Sequence, residues 1–146
     1  MEVRQILVLI FSVILLFSIE VEANSVTLNA NERCGQNYCI VSVAHLMTNA
    51  DKYEKRKVAL VGIVDVSNPQ SVMVYLDEGS FKHKVYENAV AVSAPLIATM
   101  SKEKKGLIQG NYVYIYGKYY SNIGSDKGFI NGTIDKVESI TLYGEN

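Results

Sequence analysis

The side chains able to do chemistry in this chain of 146 residues are few and scattered. Cys34 and Cys39 enclose Gly35-Gln36-Asn37-Tyr38, which is not the C-x-x-C redox spacing, and two cysteines alone are half of a structural zinc site. In an oxidising compartment they are expected to close a small disulfide that pins the N-terminal segment. His45, read as an exposed helix residue, and His83 fall in different elements, so no metal and no cofactor is expected. There is no H-E-x-x-H, no phosphate-cradling glycine loop and no G-x-S-x-G elbow. Beyond residue 23 the only arginines are Arg33 and Arg56, both expected outside strands. No catalytic residue is assigned, and the chain is not expected to be an enzyme. The alternative is a secreted barrel enzyme such as a nuclease, which would need carboxylates, for instance Asp65 and Asp77, converging with an arginine or a metal.

Two aromatic groups offer binding chemistry instead. Met73, Tyr75 and Tyr86, bordered by Phe81, Lys82, His83 and Lys84 and by the loop residues Asn68 and Asn122, make a candidate ligand face. Aromatic rings stack on bases or sugars, and lysines attract phosphate or acidic groups. Tyr112, Tyr114 and Tyr116 alternate with Val113, Ile115 and Gly117, the period of a strand with one apolar and one tyrosine face. If the small residues fill a barrel, the tyrosines lie outside it and form a candidate interface. Their cover is expected to be the segment held by Cys34 and Cys39 together with the first helix, with a partner protein as the other possibility.

The elements that must position these groups begin with a leader. Arg4, an uncharged run from Gln5 to Ile19, and Val21-Glu22-Ala23 read as a secretory signal peptide cut after Ala23. Its apolar core is shorter than the roughly 20 residues of a spanning helix, so no membrane span is expected after cleavage, a retained anchor being the alternative. Residues 24–41 are expected to form an extended or mobile arm with the disulfide, and residues 42–146 a single domain. The chain carries 14 Lys plus Arg against 15 Asp plus Glu; residues 1–23 hold Arg4, Glu2, Glu20 and Glu22, which leaves the rest at net +1. Such a balance, with secretion, disfavours nucleic acid as partner and leaves a protein or an oligosaccharide.

Ser42 is expected to cap a short helix with Val43, Leu46 and Met47 on its apolar side, ended by Asn49-Ala50-Asp51, with Tyr53 as an anchor. Strands are expected at 58–66, 71–76, 85–92, 112–120 and 130–142, with turns at 67–70 and 77–80 and a polar loop at 122–128. Ser93, Pro95, Leu96, Ile97 and Met100 predict a helix after the third strand, with Lys102, Lys104 and Lys105 at its C-terminal end and Gly106 terminating it. Gly62 and Gly117 predict sharp bends in the first and fourth strands. The change of spacing between Ile134 and Val137 predicts a bulge in the fifth. Asn131-Gly132-Thr133 matches a glycosylation acceptor and is read as the turn into that strand.

This order fits a mainly β, five-stranded Greek-key OB-fold barrel with an N-terminal helix and a helix between strands three and four. The chain also resembles the bacterial OB-fold family labelled tRNA-anti-like. The resemblance runs through Ser42-Val43-Ala44, Leu46, Asn49-Ala50-Asp51-Lys52-Tyr53, Lys57-Val58, Leu60, Gly62, Gly110-Asn111-Tyr112-Val113, Ile115, Gly117, Ile134, Val137 and Ile140. It implies the barrel fold far more than a ligand, since the matching residues are mostly fold residues. The function expected is a non-catalytic, secreted or periplasmic binding or accessory module, or a structural envelope protein that binds through the tyrosine row.

Overall fold

The computed structural model describes residues 33–93, 95–121 and 131–144. The leader expected at residues 1–23, the arm before Arg33, and the loop containing Asn122 lie outside the described residues. Strands β1 (Arg33–Cys34) and β2 (Cys39–Ser42) form a hairpin, with Gly35 N–H donating to the Tyr38 carbonyl at 2.9 Å and Cys34 paired with Cys39. The disulfide joins that pair. Arg33 thus lies in a strand, contrary to expectation, and the end of the supposed arm is ordered pairing. β2 runs parallel to the first long strand, β3 (Lys57–Asp65), from Cys39 opposite Val58 to Ser42 opposite Val61.

Between them stand two short helices, α1 (Val43–Thr48) and α2 (Ala50–Tyr53). Ser42 caps α1 as expected, its hydroxyl accepting from His45 N–H at 3.2 Å. Asn49 ends α1, but Ala50 and Asp51 open α2 rather than extending the break. Val43 and Leu46 are fully buried, and Tyr53 is the anchor its size suggested. His45 is not a free surface residue: its Nε2 lies 2.9 Å from the Tyr53 hydroxyl.

Five strands close a mixed barrel, and β2 is one extra strand on its edge. β3 is followed by β4 (Val72–Tyr75), β5 (Ala89–Val92), β6 (Tyr112–Tyr120) and β7 (Thr133–Leu142). Neighbours run β3, β4, β5, β7, β6 and back to β3; the β5–β7 contact is parallel and the other barrel contacts are antiparallel. β3 changes partners along one edge, pairing with β2 up to Val61 and with β4 from Ile63. Gly62 sits at that change. A side chain there would come within 2.5 Å of Val74 Cγ1 and 2.7 Å of the Tyr75 carbonyl, so only glycine admits the crossing. Gly117 does the same on β6, where an added Cβ would meet Ile134 Cγ2 at 2.6 Å. Opposite it, β7 passes from Asp135 to Ser139 while β6 advances only from Lys118 to Tyr116, and Lys136 takes φ 49°. This is the bulge that the broken spacing predicted.

The connections depart further from the sequence reading. Residues 78–83 form helix α3 (Glu78–His83), capped by Asp77, which accepts from Ser80 N–H at 2.7 Å. The expected turn and basic run are therefore helical, because an aspartate three residues before a serine N–H caps as well as it turns. A 3-10 turn (Tyr86–Asn88) replaces the first half of the expected third strand. After β5 there are two helices, α4 (Pro95–Thr99) and α5 (Lys102–Ile108). Ser101 caps α5 through Lys104 N–H at 3.2 Å, so Lys102 and Lys104 begin a second helix instead of ending the first; Lys105 does lie in a last turn, that of α5, and Gly106 lies inside α5. Among the described residues no helix is long and apolar enough to cross a membrane.

One buried cluster fills the barrel, with Val58, Leu60, Val74, Val90, Val113, Ile115, Tyr119 and Ile134 joined by Val43, Leu46 and Tyr53. A second, smaller cluster of Met73, Tyr75 and Ala89, with Phe81 and Ala91 against it, lies on the other side of β4 and β5. Alternation along β4 decides which residues go where: Val72 and Val74 turn into the barrel, while Met73 and Tyr75 turn out beneath α3.

Candidate functional site

The expected ligand face on β4 and the segment after it is brought together, but from the inside. Met73 is 3% exposed and Tyr75 0%, so with Lys84 lying against Tyr75 neither ring nor thioether is open to solvent. Phe81, half-buried on α3, meets Tyr75 edge-on at 5.9 Å, and Tyr86, 49% exposed, lies 6.4 Å from Tyr75. Lys82, His83 and Asn68 are exposed; Asn68 Oδ1 closes its own turn by accepting from Gln70 N–H at 3.0 Å. Asn122 lies outside the described residues.

Lys84 takes the left-handed conformation, φ 54° and ψ 46°, that ends α3. Glycine is the usual residue there, since a Cβ raises the energy of that conformation by roughly 1–2 kcal/mol. The conformation sends the Lys84 ammonium to Asp65 Oδ2 at 2.5 Å, with Nζ 4.3 Å from the Phe81 ring centre and 5.7 Å from that of Tyr75. Asp65, at the end of β3, is buried. Its Oδ1 accepts from Ser67 N–H at 3.1 Å, Ser67 Oγ at 2.6 Å and Gln109 Nε2 at 3.1 Å. Burial alone would raise the carboxyl pKa; the bonds from Lys84, Ser67 and Gln109 outweigh it and hold the value at about 2. Burial pushes the Tyr75 phenol up to about 12, and among the described residues its hydroxyl has no hydrogen-bond partner. Sequence reading named Lys84, Tyr75 and Phe81 but missed their partners Ser67 and Gln109. Gln109 reaches Asp65 across a separation of 44 residues, which no local pattern records.

The tyrosine row lies where the alternation put it. Val113 and Ile115 are fully buried in the barrel, Tyr114 and Tyr116 are half-buried outside, and Tyr112 is 42% exposed. The hairpin does reach the row: Tyr38 meets Tyr116 edge-on at 5.2 Å. Its hydroxyl donates to Glu138, and Lys57 pairs with Glu138 at 2.8 Å while standing 5.4 Å from the Tyr38 ring centre. The bonds from Lys57 and from Tyr38 hold the Glu138 carboxyl below its ordinary pKa. At the other end Tyr143, which the sequence reading did not single out, stacks on Tyr114 at 5.2 Å and approaches Tyr112 at 6.4 Å. The first helix was expected to pack across strands one and four; it lies against β3, and its apolar side chains Val43 and Leu46 join the barrel cluster.

Among the described residues no three His, Cys, Asp or Glu side chains gather as a metal site would. The disulfide points to an oxidising, extracytoplasmic environment. No protein-family model matches the chain, and no curated protein matches it.

Proposed function

We propose that the chain is a non-catalytic, extracytoplasmic binding or accessory module built on a Greek-key OB barrel related to the tRNA-anti-like group. The strand order supports the barrel type: first strand between second and fourth, third parallel to fifth, helices after the third. The observation that carries the function is the outward tyrosine row, in ring contact with Tyr38 and Tyr143 and open at Tyr112 and Tyr143, the latter 57% exposed. Amphipathic rings with phenol rims suit contacts with a protein or an oligosaccharide, and the near-zero charge balance gives a polyanion little hold.

The test is binding of the chain to oligosaccharide, protein and nucleic-acid arrays, run beside a turnover assay with nucleic acids and divalent metals. The reading expects binding without turnover, weakened by Tyr112→Ala with Tyr143→Ala. Hydrolysis of nucleic acid would replace it with the nuclease alternative.

A further inference from the structure

Around Lys84, the fixed parts and the movable part are of opposite kinds. Asp65 is rigid, its Oδ1 held by three donors and its Oδ2 bonded to Lys84. Phe81 and the fully buried Tyr75 supply ring surface at 4.3 and 5.7 Å from the ammonium. The lysine is the adaptable member: its side chain is 43% exposed, on a long flexible stem. A carboxylate beside aromatic surface attracts cations, because the rings present negative faces. An anion would have to draw Lys84 away and would then meet both the carboxylate and the rings. The unpartnered Tyr75 hydroxyl is a second sign, since a buried polar atom ordinarily has a partner and this one has none among the described residues.

We propose that Asp65, Phe81 and Tyr75 form a binding site for a primary ammonium group, which the chain's own Lys84 occupies as an internal competitor. The inference rests on the binding-module reading and adds to it a second site, away from the tyrosine row, with its own ligand class: an alkylammonium, such as an amine-bearing sugar or a lysine side chain. The incoming ammonium takes Oδ2 and the ring surface as Lys84 swings into solvent, and no covalent step is involved. An ammonium has three N–H donors, so a ligand reaching deeper than Lys84 has a donor to spare for the Tyr75 hydroxyl.

The experiment titrates the full, disulfide-bonded chain with n-butylammonium chloride and follows the Tyr75 ring by NMR with isotope-labelled tyrosine. Lys84→Gly removes the competitor and suits the left-handed backbone at that position. The expected result is a saturable Tyr75 shift in the wild-type chain, reached at about tenfold lower amine in Lys84→Gly, because a tethered competitor acts at millimolar effective concentration. Sodium butyrate should give no shift, and Asp65→Asn should lose the amine response. If Asp65→Asn does not fold, Phe81→Leu, which removes the nearer of the two rings and should weaken the amine response, serves in its place. Absence of a saturable shift in the wild-type chain overturns the proposal whether or not Lys84→Gly binds, as does an equal response to butyrate. Loss of amine binding with array binding intact removes this site alone, whereas nucleic-acid turnover removes the binding-module reading itself.

Discussion

On the outer side of β4, Tyr75 is fully buried under α3; on the outer side of β6, Tyr112 stands 42% exposed and its two row neighbours are half-buried, with Tyr38 and Tyr143 against them. Both faces belong to one barrel, and both carry aromatic side chains opposite a valine-rich interior. What differs is the connection. The segment from β4 to β5 is long enough to fold a capped helix back over its own strands, and Lys84 fastens that helix to Asp65. The row on β6 receives the tip of a disulfide hairpin and the end of β7, and Tyr112 stays exposed. An outward aromatic residue therefore becomes core or contact surface according to the loop that follows it, and strand alternation cannot distinguish the two.

Substitutions sharpen this contrast, and the largest effect is expected where the two regions meet. Gly62→Ala forces a Cβ against Val74 and the Tyr75 carbonyl at the bend where β3 passes from β2 to β4. It should cost about 3 kcal/mol, the upper range for overpacking, in chemical denaturation. Next comes the Lys84–Asp65 contact. Asp65 titrates at about 2 against an ordinary 3.8, so its stabilisation is complete above about pH 3.8 and is lost as the pH falls through the folded value. The gap between wild type and Asp65→Asn should be about 2 kcal/mol at neutral pH, less whatever water screens at half-exposed Lys84, and should close toward pH 2.

The hairpin should matter less to stability and more to the row. Cys39→Ser with Cys34→Ser frees a short loop and should cost about 2 kcal/mol at most by loop entropy. Tyr38→Ala should cost about 1 kcal/mol, the worth of one aromatic pair, yet expose Tyr116 to a soluble quencher. An unchanged quenching profile in Tyr38→Ala would mean that the hairpin does not shield the row.

How far these regions could be read in advance follows from the range of the forces that build them. β6 was legible to the residue, since Tyr112–Tyr120 alternates cleanly and both of its faces have one fate along their length. Gly62, Gly117 and the bulge in β7 were legible because a missing side chain or a broken period leaves a local mark. Helix α3 was not, because Asp77-Glu78-Gly79-Ser80 has the composition of a turn and becomes a helix through one capping bond and the packing of Phe81 on Tyr75. The division of residues 95–108 into two helices was hidden for a similar reason, Ser101 being one more polar residue in a lysine-rich run until its cap is seen. The Asp65 cluster joins residues from β3, α3 and the end of α5, a set fixed by tertiary approach alone.

The central claim, that one aromatic face is closed and the other open, is tested most directly by residue-resolved tyrosine nitration of the native chain, read by mass spectrometry. Tyr112, Tyr143 and Tyr86 should react readily, Tyr114 and Tyr116 slowly, and Tyr75, Tyr53 and Tyr119 only on unfolding, in line with their exposure. Prompt nitration of Tyr75 in the native chain, or protection of Tyr112 and Tyr143, would contradict the account.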